Sequence, residues 1–193
     1  MKIQFAVVED FDRLCEKVVD DLCDQKIVAW FQDAGEFGPR ALGFRSILAD
    51  PRNTDIKDYL NNKVKHREWW RPYAPIVLEE FLEEWFETSH ISDYMLFSAK
   101  VPHETISGVT HEDGTARYQT ISKTMNPKAH RLLSKFNVKT GVPVLLNTSF
   151  NLGGEPIVET PKDAFKTFKK SNIDVLVMEN VYITKTRSSK DGE

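Results

Sequence analysis

What this sequence lacks narrows its function before any motif is read. It has only two cysteines, Cys15 and Cys23. Both fall in one helical pattern, which sets their Cα atoms about 12 Å apart, too far for a disulfide. A disulfide-stapled secreted domain is thereby excluded, and neither cysteine has the spacing of a zinc ligand. No apolar run approaches the roughly 18 residues that cross a bilayer. The short Met1–Ala6 stretch runs into acidic residues rather than a signal-peptide core, so a cytoplasmic protein is expected. Charge of one sign is also missing: the net charge is −3, which argues against duplex nucleic acid as the main partner. The nucleotide-binding patterns G-x-x-x-x-G-K-[ST] and G-x-G-x-x-G do not occur, nor does the nucleophile elbow G-x-S-x-G. Any ATP site here needs a different cradle.

What is present is an ordinary globular composition, 40% hydrophobic and 28% charged over 193 residues. At that length one domain is the natural expectation, with about 70% of the unfolded surface buried. Apolar residues at Leu14, Val18, Val19 and Leu22 predict a helix over Asp12–Gln25 behind an Asp cap. A short buried strand follows at Lys26–Phe31, then a loop rich in Gly, Pro and Arg over Ala34–Arg45, and an apolar stretch Ser46–Ala49. Helices are expected at Asp55–Lys65, Glu79–Phe86, Asn126–Thr140 and Pro161–Lys170, the last with proline in its first turn. Strands are expected at Tyr73–Leu78, Tyr94–Val101, Arg117–Ile121, Pro143–Leu146, Asp174–Met178 and Val181–Thr184. Residues 186–193 read as a charged, frayed tail. Interleaved helices and strands without an internal boundary make a mixed α/β fold (α+β mixed) on a twisted sheet.

Four clusters carry candidate chemistry. In Glu36-Phe-Gly-Pro-Arg-Ala-Leu-Gly-Phe-Arg-Ser46, glycines allow close backbone approach to a ligand, and Arg40 and Arg45 offer bidentate forks for phosphate oxygens. A surface turn with two solvated arginines explains the same residues equally well. In Lys65-His-Arg67 and Arg71-Pro-Tyr-Ala-Pro75, cations flanked by Trp69 and Trp70 suit a polyphosphate with a stacked base, or single-stranded nucleic acid. Taken alone, this cluster is better read as a basic helix C-terminus. His111-Glu-Asp-Gly-Thr-Ala-Arg117 contains a tight turn at Asp113-Gly114 and crowds His111, Asp113, Thr115 and Arg117 on one rim. Asn147-Thr-Ser-Phe-Asn151 follows an apolar strand, where ligands of open α/β sheets sit, although polar turns favour the same residues. The residues alone support a phosphate-friendly, cationic cleft and name no reaction.

In this order, EFGPRALGFRSIL (Glu36–Leu48), KHREWWRPYAP (Lys65–Pro75), HEDGTARYQT (His111–Thr120) and TGVPVLLNTSFNLGGEPIV (Thr140–Val158) resemble the C-terminal half of the NodU/CmcH-type O-carbamoyltransferases. The resemblance runs from about Lys26 to Val177 and implies a YrdC-like open twisted sheet with helices around a cationic cavity. It also implies a reaction, in which carbamoyl phosphate and ATP yield carbamoyl-adenylate. A separate N-terminal domain of actin-like ATPase fold would pass the carbamoyl group to an acceptor hydroxyl. The family's K-x-R…S-x-N signature falls on Lys65, Arg67, Ser149 and Asn151. By resemblance, Lys65, Arg71 and Arg117 are catalytic, while Arg40, Arg45, Arg67, His111, Asp113, Asn147, Ser149 and Asn151 bind substrate and nucleotide. No protein-held metal site is expected, and Mg²⁺ would accompany ATP. Residues Gln32–Glu36 and Phe44 depart from the family pattern without removing a phosphate ligand. Two other readings are a YrdC-like module that binds nucleotide or RNA without turnover, and a non-catalytic subunit. With no transfer domain among its residues, the chain is expected to be an excised domain or a half that works with a partner.

Overall fold

A computed structural model describes residues 2–186. Ten strands and five α-helices are interspersed along these residues. They are β1 (Lys2–Val7), α1 (Phe11–Cys23), β2 (Val28–Phe31), β3 (Arg45–Ala49), α2 (Ile56–Tyr59), β4 (Ala74–Leu78), α3 (Leu82–Trp85), β5 (Ser98–Lys100), β6 (Thr115–Arg117), β7 (Gln119–Ile121), α4 (Pro127–Thr140), β8 (Val144–Ser149), α5 (Pro161–Lys170), β9 (Val175–Met178) and β10 (Val181–Thr186). Eight strands form one mixed sheet in the order β1-β10-β9-β2-β3-β8-β4-β7, and β5 pairs with β6 in a separate two-stranded ribbon. Within the large sheet β2–β9 and β4–β7 run parallel and the other pairs antiparallel.

Local chemistry explains why the helices start and stop where they do. The Asp10 carboxylate caps α1 by accepting from the Asp12 and Arg13 amides. Asn126 caps α4, which ends at Gly141 in the left-handed region, φ 74°. Thr160 and Asp163 form a reciprocal capping box on α5, with Pro161 at its first position. Helices α1 and α4 lie side by side, and ion pairs Arg131–Asp12, Lys135–Glu16 and Lys139–Asp20 cross between them at successive turns. These pairs are exposed, so they add little stability. The apolar faces behind them join one continuous core with Trp30, Leu145, Phe168 and Leu176.

The structure revises several expected boundaries. Strand β8 does not stop at Asn147 but continues to Ser149, pairing Asn147 with Leu48 and Ser149 with Ser46 of β3. The extended segment expected at Tyr94–Val101 is a strand only over Ser98–Lys100. The expected strand Arg117–Ile121 is divided at Tyr118 between the ribbon and the large sheet. The helix expected at Asp55–Lys65 changes hand-width halfway: after α2, Leu60–Lys65 form a π-helical turn that ends at His66 in the left-handed region. Helix Glu79–Phe86 opens with a 3₁₀ turn before α3. Strand β10 runs through Thr186, and the rest of the expected tail lies outside the described residues. Strand β1 was not anticipated, because its largely exposed side chains carry no burial pattern and only its pairing with β10 defines it.

Candidate functional site

The centre of the large sheet builds the site. Asn147 and Ser149 are two residues apart on β8, so both side chains project from the same face. Asn147 is buried, and its amide donates to the Ala41 carbonyl at 2.9 Å and to Gln119 Oε1 at 3.1 Å. Its Oδ1 is buried without a protein partner. Around it a cavity of about 100 Å³ is lined by Arg40, Arg67 and Arg117 together with Tyr73, Met95, Asn147 and Ser149. No acidic residue lines this cavity. The absence of a local counter-charge has electrostatic consequences. Desolvation and the neighbouring Arg40 both push the Arg117 pKa down from its ordinary value. Arg117 Nε is likewise buried without a protein acceptor. Clustered guanidiniums without carboxylates are an unfavourable arrangement that a bound anion would relieve.

Lys65 closes the site from the π-helical turn. Only 2% of its surface is exposed, and its ammonium donates to the Ser149 carbonyl, the Asn151 carbonyl at 3.0 Å and Asn151 Oδ1 at 2.8 Å. Ser149 Oγ donates to the same Asn151 Oδ1 at 2.8 Å, and Asn151 Nδ2 donates to the Glu155 carbonyl at 2.7 Å. Burial, with a smaller contribution from Arg67, brings the Lys65 pKa down to about 7. Gly153 sits directly against this lysine: a Cβ there would lie 2.6 Å from the Lys65 carbonyl oxygen. Only glycine permits that approach.

Two further cavities adjoin the first. One, of about 440 Å³, shares Pro72 and Tyr73 with it and is lined by Lys57, Trp69, Trp70, His111 and Asp113. The indoles of Trp69 and Trp70 are largely exposed, and burial lowers the His111 pKa. Asp113 Oδ1 accepts from the Thr115 amide at 3.0 Å and hydroxyl at 2.7 Å, which fixes the turn. The other, of about 550 Å³, shares Pro39 and Ser149 and is lined by Glu36, Gly38, Arg45, Asn151 and Glu159.

The structure therefore brings Arg40, Arg67, Arg117, Asn147, Ser149, Lys65 and Asn151 together, with His111 and Asp113 on the adjoining rim. Two expected ligands lie outside the arginine cavity, Arg45 on the wall of the adjoining cavity of about 550 Å³ and Arg71 on the surface. Arg45 is 5% exposed and donates to the carbonyls of Gln32 at 2.6 Å, Asp33 at 2.8 Å and Phe44 at 3.2 Å, with its guanidinium 3.5 Å from the centre of the Phe31 ring. Those contacts make it a brace for the Glu36–Arg45 loop. Arg71 does not line the arginine cavity and pairs with Glu68 at 2.9 Å on the surface. Sequence reading places Glu36 at the head of the first cluster but misses its role: its Oε1 accepts from the Leu42 amide at 2.6 Å and the Arg45 amide at 3.3 Å, shaping the loop that carries Arg40. It also missed Gln119, which orients Asn147. An acid nine residues before an arginine gives no signal of this kind.

Among the described residues, no group of three or more His, Cys, Asp or Glu stands where it could hold a metal ion. No helix there is long and apolar enough to cross a membrane.

Known proteins resemble this chain in sequence and in fold. Residues 19–185 match the family model described as "Carbamoyltransferase C-terminus". The nodulation protein NolNO of Sinorhizobium fredii is 42% identical over 190 residues, spanning 95% of this chain and 28% of that protein. The 3'-hydroxymethylcephem-O-carbamoyltransferase of Amycolatopsis lactamdurans is 43% identical over 143 residues, spanning 74% of this chain and 27% of that protein. This chain thus spans less than a third of either relative. Among solved structures, full-length HypF in its phosphate- and nucleotide-bound form aligns with a TM-score of 0.60 at 18% identity, covering 95% of this chain and 22% of HypF. At that identity the likeness shows the fold, which is YrdC-like.

Proposed function

The chain belongs to the carbamoyltransferase C-terminal family, and from that membership we propose that it forms carbamoyl-adenylate from carbamoyl phosphate and ATP. The observation that carries this reading is the convergence of Arg40, Arg67 and Arg117 on one small cavity with no acidic lining. Carbamoyl phosphate loses its phosphate to water, giving carbamate and inorganic phosphate. A carbamate oxygen then attacks the α-phosphorus of ATP, the bond to the β-phosphate breaks, and pyrophosphate leaves. Apart from water, every species in that sequence is anionic, and the charge to be offset is greatest as phosphoryl bonds form and break. Fixed guanidiniums in a confined site are the main lever for such steps.

In this reading Arg40, Arg67 and Arg117 hold phosphate oxygens. Asn147 Oδ1, oriented by Gln119 and Ala41, accepts from the carbamoyl amide. Ser149 and Asn151, held in place by Lys65, line the path between the arginine cavity and the larger one beside it. The cavity of Trp69, Trp70, His111 and Asp113 takes the nucleoside, where an indole face can stack on a base. A cationic pocket does not suit a resident Mg²⁺, so the metal belongs to the substrate and arrives on the phosphates of ATP. An actin-like domain, in the same protein or a separate one, would pass the carbamoyl group to an acceptor hydroxyl. The chain's small share of its relatives' length supports that division. Dependence on ATP fits a cytoplasmic location.

The test is pyrophosphate release by the purified chain, with and without carbamoyl phosphate. Release only when carbamoyl phosphate is present supports the assignment. ATP binding with no carbamoyl-phosphate-dependent release, in this chain and in the chain joined to its transfer domain, would sink it.

A further inference from the structure

Asn61 lies outside every cluster singled out from the sequence, yet it is fully buried and both ends of its side-chain amide are hydrogen-bonded. It sits in the π-helical turn four residues before Lys65. Its backbone carbonyl accepts from the Arg67 amide at 3.1 Å. Its Nδ2 donates to the carbonyls of Trp69 and Arg71, each at 3.1 Å. Its Oδ1 accepts from Arg67 Nε at 2.8 Å and from the Tyr73 hydroxyl at 2.8 Å. The guanidinium carbon of Arg67 also stands 4.6 Å from the centre of the Tyr73 ring. One amide therefore fixes the path of the whole segment from Arg67 to Tyr73 and the aim of the arginine within it.

We propose that Asn61 is a positioning residue for the anion cavity: it holds Arg67 through Nε so that the outer nitrogens of the guanidinium face the ligand. The inference rests on the anion-binding reading of that cavity. An arginine has five N–H donors in a rigid fork, and its direction is set once Nε is bonded and one face is stacked. Without Asn61 the charge would remain but its direction would be lost, a difference that matters because misplacement by about 1 Å can cost two orders of magnitude in rate. The π-helical turn is the backbone device that makes this possible. A wide turn brings Asn61 and Lys65 inward together, and such turns recur at functional sites.

A double-mutant cycle tests the proposal, using inorganic pyrophosphate as the probe and titration calorimetry as the readout. The variants are Asn61→Leu, Arg67→Met and the double change, in the full chain, with carbamoyl-phosphate-dependent pyrophosphate release measured beside binding. Asn61→Leu should weaken pyrophosphate binding at least about tenfold in the wild-type background and less than about twofold where Arg67 is already Met. Tyr73→Phe removes one of the two bonds to Oδ1 while keeping the ring, and should give a smaller loss of the same kind. If Asn61→Leu weakens binding equally in both backgrounds, Asn61 acts on the fold at large and the proposal is overturned. It is also overturned if wild type binds no pyrophosphate. Should Asn61→Leu not fold, judged by thermal unfolding, Tyr73→Phe against Arg67→Met decides by the same criterion. Expected binding results with no turnover in any of these proteins would leave the positioning role standing, and the adenylation reading would then be decided by turnover in the chain joined to its transfer domain.

Discussion

Lys65 Nζ lies 2.8 Å from Asn151 Oδ1, across 86 positions of sequence, and ties the π-helical turn to the end of β8. The ammonium is surrounded by oxygens of Ser149 and Asn151 and so holds the Ser149–Asn151 turn in shape. Its burial lowers its pKa from 10.5 to about 7. Between those values the unfolded chain binds the proton more often than the folded one, so this group's contribution to stability rises with pH across that window. The cost of burying the charge is fully present below pH 7 and is relieved by about pH 10.5. We expect the stability of wild type relative to Lys65→Met, from denaturant melts, to increase from pH 6.5 to pH 10. A relative stability that falls over that range would mean the surrounding oxygens hold the ammonium charged more firmly than water does.

Arg117 and Arg45 should separate function from stability. Arg117 is desolvated beside Arg40, so its charge is an electrostatic cost to the folded chain. Arg117→Met should lower carbamoyl-phosphate-dependent pyrophosphate release by about 100-fold or more, the scale of losing one preorganised charge contact. Its thermal midpoint should be unchanged or higher, because a like-charge repulsion has been removed. A large fall in midpoint with activity intact would refute the assignment of Arg117 to the ligand.

For Arg45 the signs reverse. Its guanidinium holds the carbonyls of Gln32, Asp33 and Phe44, and Arg45→Met would leave the Gln32 carbonyl, in a fully buried residue, without this donor, while the Phe44 carbonyl keeps the Gln32 amide. The expected loss of stability is about 3 kcal/mol, from chemical denaturation. Activity per folded molecule should fall only as far as the Glu36–Arg45 loop loosens. A variant as stable as wild type but unable to bind pyrophosphate would instead return Arg45 to the ligand.

The contrast between those two arginines explains what the sequence could and could not convey. Helices α4 and α5 were legible almost to the residue because Asn126, Gly141, Thr160 and Pro161 are local signals that do not depend on the rest of the fold. Convergence of Arg40, Arg67, Arg117, Asn147 and Ser149 followed from motifs whose order resembled a known family. The aim of a guanidinium is not local: Arg45 and Arg40 stand five positions apart in one Gly-rich loop, yet one turns to backbone carbonyls and the other lines the cavity. Arg71 in turn finds Glu68, a partner that a row of cations hid. Asn61 was invisible for a related reason, since a polar residue within a helical stripe reads as a solvated position. Strand β1 escaped because its exposed side chains leave no pattern, its partner β10 being some 180 residues away.

Gly153 and Gly154 offer the sharpest local comparison. A Cβ at Gly153 would meet the Lys65 carbonyl oxygen at 2.6 Å, closer than any side chain tolerates. At Gly154 nothing lies within 4 Å, but φ is +77°, a region that costs an L-residue about 1 kcal/mol. Gly154→Ala should therefore lower stability by about that amount and leave pyrophosphate binding near wild type. Gly153→Ala must push the Lys65 backbone away from β8, moving the ammonium off Ser149 and Asn151. It should weaken pyrophosphate binding and slow turnover more than Gly154→Ala does, even after both are corrected to the folded fraction. Equal effects after that correction would mean that the approach of Gly153 to Lys65 serves only to close the turn. A selective loss in Gly153→Ala would place the seam between the π-helical turn and β8 within the working parts of the site.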